Sequence, residues 1–490
     1  MLTSKLKNNR YIIVFFLAVL LFLIYISLFR SGDMGDEGLI LADTQRIMAG
    51  QIIYRDFFSL ITPGIYYLLL VAWSVFGQYY LIVRLLIILI AWLICVFIYL
   101  TSRVILSRLW SALQVIIFIV LLYPNQLIIS FHWLALLFIL VAGWQINHYL
   151  KQEKDHHLVL SGLSLGLGAF FLHVQPIIAA AAIAIFLLWY NQKKYTWIIS
   201  IKKCLIFSLS FFGSFTLLML PFLLIAGPRA IWEDLIISNA YYYPQIGYIS
   251  LLNNVLLFAV FVSYLILFFI LYYKKLFSEQ IVFYFSFSLI MILSSLYRLD
   301  QNHLAYIYPC FTLSLLFYAI SKLNIEAGKN YKIFLAVFLI CPLYVYYPFP
   351  VNQYINYKLW QPLDTNIGQV YFYQSAARSL RESVLKVLNN IPDKEIFIYP
   401  YSVYYYSFAN KVNPTRYNII YGEYLSEQAK EEIKNDLAQK QVKYILYAPA
   451  EAGPEKVGQK FLADWLKENY NEEKIEYDDY NAYFYLYTKK

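Results

Sequence analysis

Two acidic residues stand side by side at Asp36 and Glu37, just past an apolar run at 11–29. A carboxylate can take a proton from a hydroxyl or orient it, and as a hard oxygen ligand it can help hold a divalent cation. Charges this close to a bilayer-length apolar run are costly unless they work or are paired. Arg46 and Arg55 follow soon enough to pair with them. Both readings stay open for Asp36 and Glu37, whereas Asp33 and Asp43 read as solvated or paired. A metal is not expected, because the two carboxylates are adjacent and no third ligand is evident. A further carboxylate, Asp56, follows in Tyr54-Arg55-Asp56-Phe57-Phe58, ahead of Pro63-Gly64.

Two later stretches carry polar chemistry of another kind. Arg298 and His303 bracket Asp300. An arginine offers a charged fork, and a histidine offers a donor that titrates near neutral pH. Both suit a phosphate at a membrane–water boundary; the alternative is an anchoring pair of Arg298 with Asp300. The stretch 228–248 holds Trp232, Glu233, Asp234 and Tyr241 to Tyr243. Aromatic faces suit sugar rings and equally suit membrane interfaces. His132, beside Trp133, reads as a packed interfacial residue. His156 and His157 lie in a basic turn and read as chemically silent.

The elements that must position these residues follow from composition. The chain has 490 residues, 61% hydrophobic and only 14% charged, against about a quarter charged in soluble domains. That excludes a disordered chain, a fibrous repeat and an ordinary cytosolic enzyme. The charges are unevenly placed: 35 of the 69 fall in 351–490. Residues 1–347 therefore read as a membrane part and 348–490 as a small soluble part. The net charge of +9 is no nucleic-acid signal, since the basic residues sit between apolar runs. Cys95, Cys204, Cys310 and Cys341 show neither metal spacing nor a disulfide framework.

Apolar runs fall at 11–29, 79–101, 110–123, 126–148, 158–172, 176–190, 204–226, 249–273, 279–296, 304–321 and 331–347. With the N-terminus inside, sixteen Lys and Arg fall in the cytoplasmic loops and six on the other side, as the positive-inside rule requires. The odd number of spans then puts 348–490 outside. The stretch 62–77 breaks this pattern if it crosses, so it reads as an interfacial helix. In the tail, a helix is expected over 368–389, strands at 395–400, 443–449 and 483–487, and helices at 426–440 and 458–470. Ser426 is the expected cap of the first of those two helices.

The arrangement resembles the GT-C glycosyltransferases. The residues that carry the likeness are the acidic pair in Gly35-Asp36-Glu37-Gly38 after a first span, Gly50-x-x-x-Tyr54-Arg55-Asp56-Phe57, and Pro63-Gly64-x-Tyr66-Tyr67. The nearest kinds are bacterial relatives of protein O-mannosyltransferases and of lipid A aminoarabinose transferases. The resemblance implies an α-helical polytopic membrane protein of about eleven spans plus interfacial helices. Its first outer loop, 30–67, would be catalytic, and an extracytoplasmic α/β domain would follow. It implies Asp36 as the catalytic carboxylate, Glu37 as its neighbour and Asp56 as the second acidic position. His173 and Gln175 stand where relatives carry a Lys-Gln pair. Arg298 and His303 precede a Tyr-rich helix, with Tyr306 and Pro309 in the expected places. Asn413-Pro414-Thr415-Arg416-Tyr417 is similar to a Pro-Thr-Arg stretch in tails of the family.

The function so implied is an inverting glycosyltransferase in the cytoplasmic membrane. It takes a polyprenyl-phosphate sugar as donor and a glycan, lipid or protein as acceptor, among membrane lipids and without nucleic acid or cofactor. Asp36 would serve as base. Arg55, His173, Gln175, Arg298 and His303 would meet the donor phosphate, and Trp232, Glu233 and Tyr241 the acceptor or sugar. The competing readings are a transporter or lipid-handling protein without transfer chemistry, and a cell-surface glycan polymerase. Neither charged residues in mid-span nor plainly broken helices, which a transporter would favour, stand out in the sequence.

Overall fold

The computed structural model describes residues 2–31, 34–240, 262, 264–294, 311–322, 360–373, 376–400, 402–418, 425–447, 460–477 and 482–490. Helix α1 (Leu2–Ser27) is followed by α2 (Met34–Met48), α3 (Gly64–Phe76) and α4 (Tyr80–Ser102). Then come α5 (Arg108–Ile117), α6 (Phe131–Gln152), α7 (Asp155–Phe171), α8 (Val174–Gln192) and α9 (Trp197–Ile225). Among the described residues, five stretches are long and apolar enough to cross a membrane: Arg10–Ser27, Tyr80–Ser102, Phe131–Gln152, Val174–Gln192 and Trp197–Ile225. Their outward faces are apolar too. Leu217 is 70% exposed and Leu224 76%, which water would penalise and hydrocarbon does not.

Helix α3 has 13 residues and rises about 20 Å, short of the about 30 Å of a hydrocarbon core. The runs at 110–123 and 126–148 are distinct elements. After α5 the chain passes through a π turn, Phe118–Leu122, and a 3-10 turn, Tyr123–Gln126, that contains Pro124. The Ser130 side chain then accepts from the His132 amide and caps α6, satisfying a donor that a helix start leaves unpaired. Helix α7 packs between α6 and α9. Helices Tyr264–Tyr273, Glu279–Ser294 and Thr312–Lys322 follow in the described apolar part. The run at 331–347 lies outside the described residues.

The tail differs from expectation in two places. The helix expected over 368–389 begins only at Ala376, and the residues before it form a strand. Strand β1 (Trp360–Thr365) turns back through Gly368, at φ +94, into β2 (Gly368–Tyr373). Val370 and Phe372 are buried, a period of two that outweighs the helical spacing of the residues downstream. The second difference is β5 (Tyr470–Tyr477), a charged strand that was not expected. It pairs along its whole length with β6 (Ala482–Lys489) at the end of the sheet. That sheet runs β3-β4-β6-β5, with β3 (Phe397–Tyr399) parallel to β4 (Tyr444–Tyr447) and the other pairs antiparallel. Helix Glu427–Gln439 opens with the Ser426 cap, its hydroxyl accepting from the Ala429 amide.

The tail makes two cores. The β1–β2 hairpin and the short helix Tyr404–Phe408 merge with the core of the long helices. The far face of the sheet, with Ile433, Leu437, Leu462 and Leu466, forms a second core. Phe58, from the first long loop, is built into that second core.

Candidate functional site

Helix α2 carries Asp36 and Glu37 in its first turn and Arg46 in its last, charges that suit the helix dipole at both ends. It stops before Gly50, whose φ of +89 is open to glycine at no steric cost. One residue apart, Asp36 and Glu37 face different surroundings, because successive helix positions turn by about 100°. Glu37 is fully buried and Asp36 is exposed.

The Glu37 carboxylate is held by three donors. Its Oε1 accepts from the Tyr80 hydroxyl at 2.7 Å. Its Oε2 accepts from Arg84 Nη2 at 2.5 Å and from the Ile129 amide at 2.9 Å. Arg84 in turn donates to the carbonyls of Arg30 and Leu127, and its guanidinium lies 4.8 Å from the Tyr80 ring centre. This ion pair, 1% and 0% exposed, locks the start of α2 to α4 and to the entry of α6. Among the described residues no group of three His, Cys, Asp or Glu gathers as metal ligands.

The glycine after the acidic pair has a structural reason. A Cβ on Gly38 would lie 2.6 Å from the Tyr404 Cβ, so only glycine lets the tail helix Tyr404–Phe408 sit against α2.

The other end of α2 is held by the tail through neutral groups. Asp43 Oδ1 accepts from Asn418 Nδ2 at 2.5 Å. Arg46 donates to Gln51 Oε1, Asn418 Oδ1 and the carbonyls of Thr415 and Asp56. Burial pushes the Asp43 carboxyl up to about 7, against the opposing pull of Arg46, Asn418 and Tyr66. Asn413, in the same Asn-Pro-Thr-Arg-Tyr-Asn stretch, braces Asn418 and the Tyr417 carbonyl.

That stretch also holds the loop after α2. The Phe58 amide donates to the Arg416 carbonyl at 3.0 Å. Arg416 Nη2 donates to the Tyr54 carbonyl and to both oxygens of Asp234, each at 3.0 Å. Asp234 is 2% exposed and also accepts from the Ser59 amide. One arginine of the tail thus ties the loop at Tyr54 to the helical turn that carries Asp234.

The remaining candidates are scattered around this frame. Arg55 and Asp56 pair with each other at 2.8 Å, and Asp56 also accepts from the Ile52 amide. The Arg55 hydrogen bond holds the Asp56 carboxyl below its ordinary range. His173 is buried at the junction of α7 and α8, and burial lowers it to about 4, so it is neutral at physiological pH. Gln175 is buried in the first turn of α8. Trp232 is exposed and Glu233 pairs with Arg229 at 2.8 Å. Tyr241, Arg298 and His303 lie outside the described residues.

Sequence reasoning missed four residues that the structure brings forward: Arg84, Asp234, Arg416 and Asn418. Arg84 read only as a topological charge and Asp234 as one acid among several. The family-like Pro-Thr-Arg stretch was the one signal that pointed at Arg416.

No protein-family model matches the chain, and no curated protein matches it in sequence. Solved structures do. ArnT from Cupriavidus metallidurans in the apo state is 10% identical with a TM-score of 0.59, over 98% of each chain. The same enzyme bound to undecaprenyl phosphate is 11% identical with a TM-score of 0.58, over 97% of each. The oligosaccharyltransferase AglB from Archaeoglobus fulgidus, in complex with an inhibitory peptide and a dolichol-phosphate, is 11% identical with a TM-score of 0.55. There 98% of this chain covers 74% of that one. At such identities it is the fold that is shared: this chain has the fold seen in ArnT and in the oligosaccharyltransferase AglB.

Proposed function

We propose that this chain transfers a sugar from a polyprenyl-phosphate-linked donor to an acceptor hydroxyl, with Asp36 as general base. The observation that carries the reading is the contrast within one helical turn. Glu37 is buried against Arg84 and fixes the helix, while Asp36 is presented on the exposed side of that fixed helix. Support also comes from the shared fold with structures bound to undecaprenyl phosphate and to a dolichol-phosphate.

In the reaction, Asp36 accepts the proton of the acceptor hydroxyl. The acceptor oxygen bonds to the anomeric carbon from the face opposite the phosphate. The bond from that carbon to the phosphate oxygen breaks, and the polyprenyl phosphate leaves with the bonding pair, inverting the centre. Charge develops on the phosphate, where cationic donors lower the barrier. Arg298 and His303 are the proposed donors, with Arg55 at the loop. The setting is a multi-pass membrane protein of about eleven crossings, with α3 at the interface and the first loop and tail on the extracytoplasmic side. The basic asymmetry of the loops and the bonds from Ser31, Asp43, Arg46, Tyr54 and Phe58 to Tyr371 and 415–418 support that placement.

The test is turnover by the purified protein on a small panel of polyprenyl-phosphate sugars, read as free polyprenyl phosphate. Release that depends on acceptor and is lost in Asp36→Asn is the expected result. Asp36→Asn within about tenfold of wild type, beside a dead Asp56→Asn, places the base elsewhere.

A further inference from the structure

A cavity of about 310 Å³ lies between the second half of α2 and the tail segment 394–418. Its volume is at the lower end for small-molecule sites and fits a molecule of about one sugar. Three cations, Arg46, Lys394 and Lys411, contribute to its wall, and no carboxylate does.

Two of those cations are buried and give their hydrogen bonds to neutral groups only. Arg46 is 6% exposed and gives its hydrogen bonds to amide and carbonyl oxygens. Among the described residues no ion pair involves it. Lys411 is 8% exposed, and its Nζ donates to the carbonyls of Ile391 and Asp393 at 2.6 and 3.0 Å. The Asp393 carboxylate turns away to Lys443 at 3.0 Å. Asp43 and Asp56 act on Arg46, and Asp393 on Lys411, only across space and without an ion pair; buried positive charge without a bonded counter-charge is costly, and an anion in the cavity would supply one. Gln45 and Asn410 also line the space, and amides of this kind match sugar hydroxyls.

We propose that this cavity is a binding site for a sugar-sized anion, a carbohydrate carrying a phosphate or carboxylate. It is separate from the transfer centre: Arg46 lies ten positions along α2 from Asp36, about 15 Å of helical rise. The inference does not rest on the transfer reaction. A ligand there would touch α2 and the 410–418 segment together.

The experiment is equilibrium binding to the purified full chain in nanodiscs, by calorimetry at low ionic strength. The probes are glucose 6-phosphate, glucuronate, inorganic phosphate and uncharged glucose. Saturable one-to-one binding of glucose 6-phosphate or glucuronate is expected, with glucose at least tenfold weaker. Lys394 is exposed at the rim, so Lys394→Glu keeps the fold and should weaken the anion at least tenfold. Lys474→Glu, an equal charge reversal on the distant strand β5, should leave binding unchanged. Absence of binding by either sugar anion overturns the proposal, as does equal affinity in wild type and Lys394→Glu. Inorganic phosphate bound as tightly as the sugar phosphate overturns the carbohydrate assignment. An equal loss in Lys474→Glu reduces the effect to surface charge and overturns the site.

Discussion

The two ends of α2 are secured by different physics. At its start, Glu37 meets the formal charge of Arg84 at 2.5 Å, inside the body of long helices and within residues 30–129. Near its end, Asp43 and Arg46 meet amides and carbonyls from residues 415–418 of the tail. Removing one member of an ion pair this deep strands the other as a buried charge. At the far end, burial raises the Asp43 carboxyl to about 7. The helix therefore has one end held by a formal charge pair and one whose carboxyl responds to protons near neutrality. Asp36 stands at the first.

The comparison can be broken most visibly at Asp36. Asp36→Asn should lower turnover by about 10²–10⁴-fold while leaving the unfolding midpoint of the purified protein unchanged. A large loss of stability instead would make Asp36 part of the same anchor as Glu37. Next in size is Arg84→Met, which strands a buried Glu37 and should cost about 3–5 kcal/mol in chemical denaturation. Adding Glu37→Leu should restore much of that loss; a double variant as weak as the single one would mean that Arg84 acts mainly through the Arg30 and Leu127 carbonyls.

Smaller effects sharpen the contrast. Gly38→Ala pushes a methyl group against Tyr404 and should cost about 1–3 kcal/mol, with the tail becoming more sensitive to limited proteolysis. At the responsive end the effect is one of pH. The folded pKa of Asp43 lies above its ordinary value of 3.8, so its share of stability is full below that value and is lost as pH rises to about 7. The groups facing it are Arg46 on its own helix, Tyr66 on α3 and Asn418 in the tail. Asp43→Asn should flatten the fall of the melting temperature between about pH 4 and 7; an unchanged slope would assign that fall to other groups. Least of all, Arg55→Gln should leave the melting temperature unmoved, since Arg55 is 49% exposed and such pairs contribute little.

Hydropathy made the long helices legible, because twenty apolar residues in a row admit few alternatives. It also led to the acidic pair, since charges beside a bilayer-length run stand out. What it could not resolve was which of the two carboxylates is buried. That depends on the phase of α2 and on Arg84, 47 positions away, and neighbouring residues look alike in one dimension. The Asp43–Asn418 bond spans 375 positions and left no local trace. Strand β2 was read as helix because Val370 and Phe372 fit both a period of two and the start of the following helical stripe. Strand β5 hid behind its charges, Glu472, Glu473, Lys474 and Glu476, which an edge strand tolerates.

The seating of Phe58 in the second core, with its amide on the Arg416 carbonyl, sets an order of events during biosynthesis. Phe58 leaves the ribosome long before its partners. Arg46 waits through 372 residues for Asn418, on the order of 20–70 s at ordinary elongation rates. During that interval the first loop has an aromatic ring without its pocket and an arginine without its carbonyls. The loop therefore takes its final form only after the C-terminal sheet has been made and delivered to the same side of the membrane. A chain interrupted before residue 418 would keep the start of α2 on Arg84 yet leave the last turn of α2 and the loop that carries Phe58 without their partners.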